Sequence, residues 1–245
     1  MENDLQARMR LWQEAFGDTE EEMNRFFTTA YDPRRSRVLW QENQLAAALY
    51  WLDCRWNGRK IAYLYAVSTA KAFRGRGLCH ALMGETLTVL REQGYAGAVL
   101  VPAEESLFAF YADMGFFTCS SVSEFTEKAG KTPVPVQTLN TEEYALRRRM
   151  LLPENSVLQE EENLRYLKET AELYGGDGFL LAASREGETL NAAEYLGDVS
   201  RIPGILRTLG CAEGNFRTPG TEKEFAMYCS FENSAGPSYF GLCFD

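Results

Sequence analysis

The sequence predicts an α/β protein built on mixed sheet, folded as two domains. Three stretches carry that expectation. The first is "RVLWQENQLAAALYWLDCRWNGRKIAYLYAVST" (Arg37 to Thr69). It reads as successive strands broken at "QENQ" and "WNGR", and the Asn-Gly pair of the second break favours a tight hairpin. The second runs from the end of that stretch through a Gly-rich segment, a helical repeat and "AGAVLVP" (Ala96 to Pro102). A strand, helix and strand in that order make a crossover, so its two strands should be parallel. The third is the change of texture in "AGKTPVPVQTLNTEEY" (Ala129 to Tyr144), which carries prolines, a glycine and polar residues. It reads as a linker. The expected boundaries are a first domain over 1–128, a linker over 129–140 and a smaller second domain over 141–245.

The other elements follow from periodicity. Leu5, Met9, Trp12 and Phe16 recur at helical spacing, and Gly17 ends the run. Asp18 or Thr19 caps a second helix whose first turn, Glu20 to Glu22, suits the helix dipole. The strand near Ile61 to Val67 is almost wholly apolar, as for a strand covered on both faces. Leu78, Leu82, Leu87 and Leu90 mark the helix after the Gly-rich segment. "EESLFAFYADMG" is a further helix and "FFTCSSVSEFT" a further strand. Beyond the linker, helices are expected from Thr141 and over "ENLRYLKETAELYG". Strands are expected at "GFLLAAS", "TLNAAEYLGD", "KEFAMYCSFE" and "SYFGLCFD", with a short helix at "RIPGILRTLG". The second half thus repeats the broad order of the first, without a Gly-rich loop.

Composition narrows the function. The chain has 245 residues, 45% of them hydrophobic, and a net charge of -10. That is a globular chain. Its acidity disfavours nucleic acid as a partner, because phosphate binding needs a basic stripe. The six cysteines form no C-x-x-C pair, which fits free thiols in a reducing compartment better than a disulfide framework. The first residues lack an apolar h-region and no apolar run is long enough to span a membrane. A cytoplasmic protein without membrane partner is expected. The single histidine, His80, leaves too few imidazoles for a His-based zinc site, and no metal is expected.

"FRGRGLCHALM" (Phe73 to Met83) places glycines and arginines directly before a helix. A helix N-terminus leaves backbone amides without partners and carries partial positive charge. Glycines let a ligand approach those amides, and Arg74 and Arg76 add full charge, so the segment suits a phosphate or pyrophosphate. It is not a Walker A loop, which needs Gly-Lys-Ser/Thr. It is a poor dinucleotide fingerprint, because His80 stands at the third small position and the loop follows a late strand. It does match an acyl-coenzyme A loop, Arg/Gln-x-x-Gly-x-Gly/Ala, except that Cys79 takes the last place.

With "AVSTAKAFRGRGLCHALM", "GAVLVP" and "SLFAFYADMGF" in that order, the first half resembles the GCN5-related N-acetyltransferase (GNAT) superfamily. The spacing from Val67 to Arg74 is similar to the branch that includes the enhanced-intracellular-survival acetyltransferases. The resemblance implies acetyl-CoA as cosubstrate and transfer of its acetyl group to a primary amine of a small molecule, peptide or protein. It implies that Arg74, Gly75, Arg76, Gly77, Leu78 and Cys79 cradle the pyrophosphate. It also implies that the strand edge at Ala66, Val67 and Thr69 takes the pantetheine arm, with one amide polarising the acyl carbonyl. Ser106 stands where relatives often have Asn for a cofactor contact. Tyr111 matches the family tyrosine that acts as general acid toward the leaving sulfur; taken alone it would read as a core aromatic. Asp53 and the terminal Asp245 are weak candidates for the base. The second half resembles a degenerate GNAT copy, in which Glu194 or Asp198 could meet a cationic amine. Arg147 to Arg149 read as a solvated helix face. The alternative to an enzyme is a non-catalytic acyl-CoA sensor or interaction module on the same fold, as monomer or homodimer.

Overall fold

In the computed structural model, residues 4–232 and 234–244 are described. The chain is mixed α/β, and it separates into two compact units. Unit 1 comprises residues 1–117 and 227–236, and unit 2 comprises 118–226 and 237–245. The division therefore falls at Phe117/Thr118 rather than at the expected linker, and a segment near the C-terminus returns to unit 1.

Unit 1 begins with α1 (Asp4–Phe16) and α2 (Glu20–Thr29). Thr19, not Asp18, caps α2: its side chain accepts from the Glu22 amide while Glu22 reaches back to the Thr19 amide. Asp18 instead accepts from Trp12 Nε1 at 2.7 Å. The strands β1 (Ser36–Gln41), β2 (Gln44–Trp56) and β3 (Arg59–Thr69) form an antiparallel meander. Its hairpins turn at Glu42-Asn43 and Asn57-Gly58, all four at positive φ, the conformation matching the right-handed twist of the strands. α3 (Leu78–Glu92) crosses over to β4 (Gly97–Leu100), which runs parallel to β3 as the sequence predicts. α4 (Ser106–Ala112) follows.

One face of this sheet packs on α3 and α4. Leu49, Trp51, Leu64, Leu82, Leu90 and Tyr111 are buried together there. The opposite face carries Tyr50 and Tyr65, against which Trp12 of α1 and Phe26 of α2 pack at ring distances of 5.3–5.7 Å.

Unit 2 holds β5 (Phe117–Lys128), β6 (Gln137–Thr138), α5 (Thr141–Leu151), α6 (Glu162–Lys168), β7 (Glu172–Gly176), β8 (Phe179–Glu186), β9 (Thr189–Gly197), α7 (Ile202–Leu209) and β10 (Glu213–Pro219). Its strand order is β5-β10-β9-β8-β7-β6. β7, β8 and β9 form an antiparallel meander, and α7 crosses over to β10, parallel to β9. This is the connectivity of β1 to β4 repeated. β11 (Lys223–Ser230) straddles the division, and its residues Met227 to Ser230 pair antiparallel with β4.

Several expectations are corrected. The stretch 129–140 is not a free linker: the amides of Ala129, Gly130 and Val134 donate to carbonyls of Ala212, Pro203 and Gly204. In "ENLRYLKETAELYG" the helix stops at Lys168 and Glu172–Gly176 is strand. β10 was not foreseen. "SYFGLCFD" forms no strand among its described residues. Instead, Gln159 bonds both the amide and the carbonyl of Leu242, at 3.1 and 2.6 Å.

Candidate active site

β3 and β4 share only the pairs Ala62–Ala98 and Tyr63–Val99. β4 ends at Leu100, while β3 continues to Thr69. Between the β2–β3 pairs Tyr50–Tyr65 and Ala48–Ser68 the register shifts. Ala66 stands at the shift with φ 50°, a left-handed conformation that L-residues rarely take. A bulge of this kind bends a strand and breaks its ladder, and such bulges concentrate near functional sites. Ala66, Val67 and Thr69 therefore lie on a half-buried strand end that has parted from its parallel neighbour.

The chain leaves β3 through a short 3-10 turn, Lys71–Phe73, anchored by the buried Phe73. Gly75 and Gly77 follow at φ 74° and 73°, and a Cβ built on either would meet nothing within 4 Å. The glycines are thus required by backbone conformation, and the space over them is open. Gly77 is the N-cap of α3 and no side chain caps the helix. The first helical bond is donated by Ala81 to the Gly77 carbonyl, so the amides of Leu78, Cys79 and His80 precede the ladder. Arg74 and Arg76 are exposed. Arg74 Nε donates to the Thr69 carbonyl at 3.1 Å, and the Arg76 guanidinium lies 5.1 Å from the Phe73 ring.

Tyr111 is buried between Phe110 and Phe116. Val67, Leu78 and Tyr111 share one apolar cluster, which joins the strand end, the loop and α4. Burial, with the neighbouring Cys79 thiol adding to it, pushes the Tyr111 pKa above the usual phenol value. Burial also pushes Cys79 up to about 11, so both groups keep their protons at neutral pH. The Tyr111 hydroxyl has no hydrogen-bond partner among the described residues.

Other predicted residues are engaged elsewhere. Ser106 donates to Glu104 Oε1 at 2.6 Å. Asp53 lies opposite Ala62, in the paired part of β3 and away from the parted end. It accepts from Tyr95 Oη at 2.6 Å and pairs with Lys60 at 2.8 Å and Arg35 at 3.4 Å. These three partners commit the carboxylate to the paired part of the sheet. Asp245 lies outside the described residues. Glu194 is fully buried and takes Arg148 Nε and Nη2 at 2.6 and 2.9 Å, with Tyr239 Oη at 3.1 Å. It has no exposed oxygen for an amine, and Arg148 is no part of a solvated face. Asp198 caps the turn before α7 through the Ser200 amide. His80 is exposed, 6.4 Å from the Phe110 ring. The six cysteines are free.

Residues 1–119 match the family profile of the acetyltransferase (GNAT) domain. The match ends two residues beyond the close of the main segment of unit 1 at Phe117. No curated protein matches the chain in sequence. Among solved structures, a GCN5-related N-acetyltransferase from Kribbella flavida is similar over 94% of this chain and 69% of its own, with TM-score 0.71 and 16% identity. Eis1 from Mycobacterium abscessus is similar over 95% and 73%, with TM-score 0.65 and 11% identity. A protein from Pyrococcus horikoshii is similar over 98% and 90%, with TM-score 0.66 and 13% identity. At these identities the likeness bears on the fold alone, and it extends beyond the matched residues into unit 2. No helix among the described residues is long and apolar enough to cross a membrane.

The sequence missed two features of the site. The bulge at Ala66 has no local signal, since "LYAVST" is simply apolar. Glu14 of α1 accepts from the Lys71 amide at 2.6 Å across 57 positions of sequence, which no local pattern could reveal.

Proposed function

We propose that the protein is an N-acetyltransferase that takes its acetyl group from acetyl-CoA and delivers it to a primary amine. One observation carries this reading. An uncapped helix N-terminus is reached through two left-handed glycines with open space over each, directly after a strand end freed by a bulge. The residues present fit coenzyme A. The amides of Arg76 to Cys79 would hold the pyrophosphate, and Arg74 and Arg76 would attract it. The edge at Ala66, Val67 and Thr69 would take the pantetheine amides, and Ser106 could add a contact by releasing Glu104.

Bound acetyl-CoA would supply an activated acyl group and a thiol leaving group. Tyr111 would hold the proton that the leaving sulfur takes up. Its buried phenol is neutral, and its hydroxyl is not committed to another partner. The strand-edge amide beside the bulge would stabilise charge developing on the acyl oxygen. No base is assigned among the described carboxylates: Asp53 and Glu194 are both held in ion pairs.

We read unit 2 as a second copy of the fold without a cofactor cradle. Its repeated connectivity supports this. Where α3 begins with free amides after glycines, α7 has Pro203 at its start, which removes a donor.

Thiol release from acetyl-CoA against a panel of primary amines tests the reading. Turnover that is lost in Tyr111→Phe, with cofactor affinity kept, supports it. Tight cofactor binding with no turnover on any amine would instead leave an acyl-CoA sensor.

A further inference from the structure

Glu14 occupies the last turn of α1, where a carboxylate faces the negative end of the helix dipole and no basic residue offsets it. Its position does nothing for its own helix. Instead Oε1 accepts from the backbone amide of Lys71 at 2.6 Å. Lys71 opens the 3-10 turn that leads into the glycine loop, and that turn has no side-chain cap of its own. Glu14 thus caps, from a separate helix, the turn that aims Arg74 to Cys79. The carboxylate is exposed and reaches along the rim of a hollow of about 350 Å³ that also takes in Asn43, Gln44 and Ala70. It is not packed into the core. α1 is itself fixed by Trp12, which packs edge-on against Tyr65, the residue before the bulged Ala66. One helix therefore braces both the strand end and the loop.

We infer that Glu14 is a positioning residue for cofactor binding, acting through the Lys71 amide. The proposal rests on the loop being the acetyl-CoA site, and its test separates the two. Glu14→Ala removes the acceptor, whereas Glu14→Gln keeps an amide oxygen at the same reach. Hydrogen exchange is measured over residues 70–77 of the protein without ligand, together with acetyl-CoA affinity by calorimetry and Tm. Glu14→Ala should exchange faster at Lys71 to Phe73 and bind acetyl-CoA roughly three- to tenfold more weakly, the net range for one ordinary hydrogen bond. Tm should hold, because no buried contact is lost. Glu14→Gln should restore most of both properties.

Lys71→Pro supplies a second variant. Ala70, at φ -57° and ψ 138°, already has the conformation a following proline requires. With no amide left to hold, Glu14→Ala should add nothing further in that background. Wild-type exchange and affinity in Glu14→Ala would overturn the proposal, as would a further loss in the Lys71→Pro background. If the wild type itself failed to bind acetyl-CoA, the functional reading would fall while the exchange data still decided the role of Glu14 at the loop.

Discussion

Gly77→Ala separates the ligand's need for glycine from the fold's need for it. Gly77 and Gly94 stand at opposite ends of α3, with φ 73° and 80°, and a Cβ on either meets nothing within 4 Å. Alanine at either site must adopt a left-handed conformation, at a cost of about 1–2 kcal/mol. In a chain of this size that lowers Tm by about 2–4 °C per kcal/mol. The two variants should therefore lose similar stability, since backbone strain is the common cause and steric conflict is absent from both. They should differ in cofactor binding. A methyl on Gly77 stands in open space at the N-cap of α3, next to its first amides, while one on Gly94 lies at the helix's far end. Calorimetric titration with acetyl-CoA should show Gly94→Ala near wild type and Gly77→Ala weaker by at least about tenfold, or ~1.4 kcal/mol. Equal affinities in the two variants, with equal losses of Tm, would refute the cradle at the start of α3.

Three further outcomes are expected. Tyr111→Phe should lower kcat by about 10²–10⁴ while leaving KM for acetyl-CoA and Tm near wild type, as steady-state kinetics and a thermal melt will show. Glu194→Leu leaves the buried Arg148 guanidinium unpaired and should cost about 3–5 kcal/mol in urea unfolding, most of it recovered by adding Arg148→Met. The Arg34 side chain, hydrogen-bonded to Asp32, holds that carboxyl down at about 2. Because the folded value lies below the unfolded one, its stabilisation is present above about pH 4 and lost as pH falls through about 2. Tm should consequently fall less steeply across that window in Asp32→Asn, which keeps a capping oxygen but has no charge to lose.

Much of unit 1 was legible because its local signals agree with its tertiary contacts. Asn57-Gly58 turned where a hairpin turn was expected, the leucine repeat after Gly77 became α3, and the Gly-rich loop fell between a strand and a helix. The loop itself could be read because two closely spaced glycines before an apolar helical repeat mark a turn into a helix. Unit 2 was less legible. In "TAELYG" the good helix formers Ala, Glu and Leu were overridden by pairing of Glu172–Gly176 with β8. β10 was hidden because its inward set is Gly214, Phe216 and Thr218, only one of them a large apolar residue. The terminal "SYFGLCF" has strand composition, but its described backbone is held largely by side chains: Ser120 serves Phe240 and Gln159 serves Leu242. Long-range ties of this kind, like Glu14 to Lys71, leave no period in the sequence.

Calorimetric binding of acetyl-CoA to the wild type and to Arg74→Glu tests whether the glycine loop holds the cofactor. Arg74 is exposed and, among the described residues, its side chain bonds only the Thr69 carbonyl, so the charge reversal should leave the fold intact. Binding in the micromolar range by the wild type and its loss in the variant are the expected outcome. No binding by the wild type, or undiminished binding by Arg74→Glu, would contradict the assignment of the glycine loop as the cofactor site.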